Sequence, residues 1–186
     1  MKNAAACAIG GLMLAGVLLA NAEAPQESVA RARQASGELG RTLRGRLEAA
    51  VQSHSFTGAL AVCQDEAPAL AKEVSTRLGV TVGRTALRVR NEANQPDPWE
   101  RVGLAALQGQ LDAGVEPAQA EVVEVFPSEV RFLKAIVTDP VCLVCHGEVL
   151  DPGLQQDLLR RYPADSATGF KAGQLRGAFT VRIPTP

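Results

Sequence analysis

Residues 142–146 of the chain read Cys-Leu-Val-Cys-His. Two thiols three positions apart, followed at once by an imidazole, form the C-x-x-C-H signature of c-type haem attachment. The thiols of Cys142 and Cys145 bond to the haem vinyl groups as thioethers, and His146 falls beneath the iron as its proximal ligand. A C-x-x-C pair also serves as a redox dithiol, a plain disulfide or half of a zinc site. Zinc needs four well-placed ligands, and His146, adjacent to Cys145, is poorly placed to join both thiols on one tetrahedral ion. A thioredoxin-like dithiol opens a helix in a βαβ setting, which the surrounding pattern does not suggest. One covalently attached haem c is therefore the expected cofactor, and no residue is assigned a catalytic role.

The N-terminus supports that chemistry. Lys2 is followed by an uncharged run over 4–20 and by Ala20-Asn21-Ala22, an A-x-A cleavage pattern. Residues 1–22 read as a secretory signal peptide, leaving 23–186 as a single exported domain in the periplasm. An uncleaved anchor is the competing reading; the run is short against the roughly 20 apolar residues that a span needs, and Gly10, Gly11 and Gly16 dilute it. After cleavage no later segment is long or apolar enough to cross a membrane. Loss of Lys2 takes the formal charge from −1 to about −2, too weak a field for a nucleic-acid partner. A composition 46% hydrophobic but only 4% aromatic predicts one aliphatic core.

Subtraction narrows the other face of the iron. The only methionines, Met1 and Met13, lie in the leader, so the His/Met pair of many electron-carrying cytochromes is excluded from the mature chain. His54, Cys63, Lys72, Lys134, Lys171 and Tyr162 remain, as does an open position. Cys63 is the odd thiol left once two carry haem, and it falls on the apolar face of a helix, whereas His54 sits at a polar helix end between Ser53 and Ser55. Arg84, Arg88 and Arg90 cluster around a predicted strand and can serve as bidentate partners for the haem propionates, or as ordinary solvated charges.

The elements that position these residues follow from periodicity. Apolar residues every three or four positions predict a long amphipathic helix over 28–51, weakened by Gly37, Gly40 and Gly45, and a second over 60–78, kinked near Pro68. Short strands are expected at 80–82 and 86–89. A helix over 97–114 opens with a capping box of Asp97 and Glu100, with Pro98 at its first position. Strands are expected at 121–126 and 130–138, a short helix at 152–162 and a last strand at 174–183. The result is an α+β domain with an antiparallel sheet covered on one side.

A family resemblance rests on Ala61-Val62-Cys63 with Ala67-Pro68, Gly83-Arg84-Thr85, Arg90-Asn91-x-x-Asn94, Pro96-Asp97-x-Trp99-Glu100, the haem motif, Tyr162-Pro163-x-Asp165-x-Ala167-Thr168-Gly169-Phe170 and Arg176-Gly177-Ala178. Together these resemble the PAS-like c-type haem domain family, catalogued as a domain of unknown function, over nearly the whole mature chain. The resemblance implies an antiparallel PAS-like sheet with a long N-terminal helix and flanking helices, and haem held by the C-terminal half. It also implies an iron between His146 and the thiolate of Cys63. Ala86 departs from the serine expected after the Gly-Arg-Thr run.

An anionic sulfur ligand stabilises ferric over ferrous iron and predicts a low reduction potential, against which burial and nearby arginines work. The expected function is low-potential one-electron transfer, or redox or gas sensing, with a redox partner protein or a separate signalling receptor. The rival is a haem enzyme acting on peroxide or nitrogen oxides after loss of the Cys63 ligand, although His54, the only spare histidine, provides no distal His/Arg pair.

Overall fold

A computed structural model describes the backbone of residues 16–53 and 56–185, with side chains from residue 25 onward except at 56 and 57. Most of the expected leader, and His54, lie outside the described residues.

Helix α1 (Gly16–Gln52) is longer than periodicity predicts and carries Pro25 in its interior. Its stripe of Ala32, Ala35 and Leu39 is fully buried. After α2 (Phe56–Ala61) the backbone widens into one π-helical turn, Val62–Glu66, before tightening again as α3 (Ala67–Leu78). The Ala67 amide donates to the Val62 carbonyl five residues back. Pro68, without an amide hydrogen, follows at the start of α3, so the wide turn absorbs the register change that the sequence reading expressed as a kink. Gly79, with φ of 62°, closes α3 in the left-handed conformation open to glycine.

Strand β1 (Thr81–Thr85) runs straight through Gly83-Arg84-Thr85. Residues 86–89, expected as a strand, are instead a bent segment: Ala86 and Val89, three apart, are buried while Leu87 and Arg88 face out, a spacing that does not fit the alternation of a strand. A 3-10 turn (Glu92–Asn94) leads to α4 (Pro98–Asp112), whose capping box of Asp97 and Glu100 forms as predicted. Then come β2 (Glu121–Val125), β3 (Glu129–Val137), α5 (Pro140–His146), α6 (Pro152–Arg161) and β4 (Leu175–Pro184).

The four strands make one antiparallel sheet in the order β1-β4-β3-β2, the last strand lying between the first and the third. The α+β class, the antiparallel sheet and the long N-terminal helix agree with expectation. Coverage on one side does not. Val130 and Phe132 of β3 and Val181 and Ile183 of β4 pack with α1 and α3 on one face. Leu133 and Ala178 pack with Leu104 and Leu107 of α4 on the other. A strand apolar on both faces is the mark of a doubly covered sheet. Helix α4 is further pinned by Arg131, which meets Asp97 and Glu100 and stacks 4.3 Å over Trp99, and by Arg182, which reaches Asp97.

Candidate functional site

The five motif residues close α5, which leaves the end of β3 directly. Thr138, 1% exposed, fixes the junction by donating its hydroxyl to the carbonyls of Lys171 and Gln174. Asp139 precedes α5, Pro140 occupies its first turn, and Arg44 of α1 pairs with the Asp139 carboxylate. Helix α5 is thereby held against both the sheet and the long helix.

Cys142 is half-buried, with Sγ 3.8 Å from Asp139 Oδ1. Cys145 is buried in a cluster with Leu60 of α2 and Leu154 and Leu158 of α6, bordered by Val144, Leu150 and Tyr162. Burial pushes both thiols up, Cys145 to about 11, and like-charge repulsion from Cys63 and Cys142 adds to the rise at Cys145. Cys63, Cys142 and Cys145 are all free thiols, not disulfides. Thiols free of a disulfide are the form from which a thioether to a vinyl group can be made.

His146 is oriented by its backbone and by one side-chain hydrogen bond. The segment after α6 zips onto the end of α5: the Phe170 amide donates to the His146 carbonyl at 2.9 Å and the Gly169 amide to the Gly147 carbonyl at 2.8 Å. This brings the Ala167 carbonyl to 2.5 Å from His146 Nδ1. A carbonyl only accepts, so Nδ1 carries the hydrogen and Nε2 presents a lone pair, the tautomer that a metal ligand needs. Desolvation pushes the imidazole pKa well below its usual value, the charges of Arg176, Arg90 and Arg84 add to the fall, and the Ala167 hydrogen bond partly opposes it. The ring stays neutral.

The loop that supplies Ala167 is braced by a buried ion pair. Arg90 and Asp165, with side chains 7% and 5% exposed, meet at 2.9 Å, and Arg90 donates to the Cys145 carbonyl at 2.6 Å. Asp165 also accepts from the Ala167 amide at 2.8 Å. Arg90 is thus committed to structure. Arg88 is exposed, lies 4.2 Å over the Phe170 ring and donates to the Ser166 carbonyl. Arg84 is half-buried, and its side chain makes no hydrogen bond or ion pair among the described residues.

Cys63 lies in the π turn and is half-buried. It is near enough to Cys145, Tyr162 and Arg176 for a charge on its sulfur to act on each. Leu60, one turn earlier, packs directly with Cys145, and Gln64 accepts from Arg161 of α6 at 2.7 Å. The fold therefore brings Cys63, Tyr162 and the haem motif together. Lys72 is exposed, Lys134 pairs with Glu121 beside α1, and Lys171 reaches Glu148 at the surface. Among the described residues no group of three or more His, Cys, Asp or Glu side chains is placed to hold a metal ion. Two free thiols beside one neutral imidazole with a free Nε2, and a further thiol, are residues that fit a haem, which brings its own four nitrogens.

Arg176 is a site residue that the sequence reading did not single out as a propionate partner. Between Ile136 and Val137 the pairing of β3 with β4 skips it, so that Val137 faces Leu175 and Ile136 faces Gly177. This bulge leaves Arg176 outside the ladder, within range of the charges of Arg90, Arg84 and Cys63. Gly177, inside a strand pattern, was the available signal.

The Tll0287-like family, described as Tll0287, matches residues 14–184. Among solved structures the chain is similar to the cyanobacterial haem protein Tll0287, with 28% identity over 68% of this chain and 73% of that one and a TM-score of 0.55. No curated protein matches. Among the described residues no helix is long and apolar enough to cross a membrane.

Proposed function

The chain belongs to the Tll0287-like family, and from that premise we propose that it is an exported single-haem protein of the c type that carries one electron at low potential or senses redox state or a small gas. Cys142 and Cys145 would hold the porphyrin as thioethers, and His146 and Cys63 would supply the two protein ligands of its iron. Export places it in the periplasm, where a redox protein or a separate signalling receptor is its partner. That the similar structure is of a haem protein supports the cofactor. The observation that carries the assignment is the Nδ1 contact of His146 with the Ala167 carbonyl, which leaves Nε2 available beside two free thiols.

The bound haem supplies a one-electron ferric/ferrous couple. The chain determines where that couple sits. A Cys63 thiolate favours the ferric state, whereas burial and the positive charges of Arg84, Arg90 and Arg176 favour the ferrous state; the direct ligand is the stronger influence. Ligands on both faces leave no open position on the iron, which favours electron transfer or redox sensing over turnover; a gas would have to displace Cys63. Protein matured in a bacterium with haem-attachment machinery should show, in denaturing mass analysis, the polypeptide plus one haem. The bare polypeptide mass would overturn the reading.

A further inference from the structure

Three guanidinium groups and one carboxylate are gathered beside His146. Arg176 feels the charges of Arg90, Arg84 and Asp165, and His146 feels those of Arg176, Arg90 and Arg84. Asp165 is spent on Arg90, its ion-pair partner. Of the three guanidinium groups, those of Arg84 and Arg176 have no ion-pair partner among the described residues. Arg176 donates one Nη1 hydrogen bond, to the Arg88 carbonyl at 3.0 Å, while its Nε is buried with no partner. Its guanidinium lies 5.3 Å from the Phe170 ring, which also meets His146 edge-on at 6.4 Å between centroids. A guanidinium partly removed from water, facing a second one, is held at a cost unless an anion joins it. Burial, aided by repulsion from Arg90 and Arg84, pulls the Arg176 pKa down to about 10.

We propose that Arg84 and Arg176 form a carboxylate-binding site that receives the two propionates of the haem, with Arg88 and Arg90 outside it. The inference rests on the haem reading above and deepens it by changing the arginine set that sequence spacing suggests. Charge is matched: two cations without an ion-pair partner meet two carboxylates. Geometry selects the pair, because Arg90 is committed to Asp165 and the Cys145 carbonyl, and Arg88 is exposed against Phe170 and Ser166. The bulge in β4 lets Leu175 join Ala178 on one face and leaves Arg176 out of the ladder, while the pairing of Thr85 with Ala178 sets Arg84 and Arg176 at neighbouring positions of adjacent strands. The two residues bind and orient the haem edge and raise the potential by their charge.

The test compares haem-loaded wild type with Arg84→Leu, Arg176→Leu, Arg176→Lys and, as control, Arg88→Leu. Resonance Raman reads the propionate bending bands, which respond to hydrogen bonds at those carboxylates, and potentiometry reads the couple. Arg84→Leu and Arg176→Leu should each shift the bending bands and lower the potential. Arg176→Lys should restore most of the potential but not the bands, since lysine keeps the charge and loses the planar fork. Arg88→Leu should leave the bands alone. Unchanged bands in both Arg84→Leu and Arg176→Leu, or a shift in Arg88→Leu alone, would overturn the site while leaving His/Cys ligation intact. Absence of covalent haem from the wild type would instead count against the function proposed above.

Discussion

The ring nitrogen Nδ1 of His146 and the carbonyl oxygen of Ala167, twenty-one residues apart in sequence, lie 2.5 Å from each other. That contact fixes which nitrogen can face a metal, and it exists because Asp165 holds the loop from below. Asp165 accepts from the Ala167 amide and pairs with buried Arg90, which in turn donates to the Cys145 carbonyl. One carboxylate therefore ties His146, Cys145 and the loop into a single unit.

Asp165→Ala should consequently be among the most damaging single changes. It leaves Arg90 buried without its carboxylate, a loss of about 3–5 kcal/mol. Replacing both partners, Arg90→Met with Asp165→Leu, should recover much of that in denaturant unfolding. A double variant no more stable than Asp165→Ala would contradict the assignment of the cost to an orphaned charge.

Two glycines of α4 should respond in opposite senses. A Cβ on Gly103 would sit 2.4 Å from a Leu133 methyl that is itself fully buried, whereas one on Gly109 meets nothing within 4 Å. Gly109→Ala should stabilise by about 0.5–1 kcal/mol through helix propensity. Gly103→Ala should destabilise by roughly 1–2 kcal/mol, because overpacking a filled core exceeds the propensity gain. Paired thermal melts compare them directly.

Acid should weaken the anchorage of α4. Burial pushes the Asp97 carboxyl up, but the hydrogen bonds from the Glu100 amide and Arg131, with the charges of Arg131 and Arg182, outweigh it, and the net pKa lies below the ordinary 3.8. A carboxyl lowered by folding contributes stability above its unfolded pKa, and that contribution is lost as pH falls through the folded one. Wild type should therefore lose stability below about pH 4 more steeply than Asp97→Ala. The variant itself should cost about 1–2 kcal/mol at neutral pH through the lost cap. Urea unfolding at stepped pH measures both, and parallel curves would contradict the expectation.

How far the sequence is legible differs between these parts. Strongly periodic elements, the capping box of Asp97 and Glu100 and the strands around Phe132 and Val181 follow from local pattern, because burial of one face repeats at a fixed spacing. Residues 86–89 do not, since Ala86 and Val89 are buried by a bend whose hydrogen bonds go to Asn94, beyond the next turn, and to Ser166, far along the chain. Periodicity points Cys63 inward, but one regular face over 60–78 hides a division: Leu60 belongs to the Cys145 cluster and Val74 to the main core, and the π turn between them makes the switch. The charges around Arg84 are legible as a cluster, yet which arginines are free depends on Asp165, and Arg176 joins them from another strand, outside the ladder at a bulge. Partners set by tertiary pairing leave little trace in spacing.

The pairing of His146 with Cys63 is the centre of the account, and electron paramagnetic resonance of the ferric protein, wild type beside Cys63→Ser, tests it most directly. Wild type should give a low-spin signal of thiolate character, and Cys63→Ser should lose that character while haem stays covalently bound through Cys142 and Cys145. Identical spectra from the two proteins would contradict it.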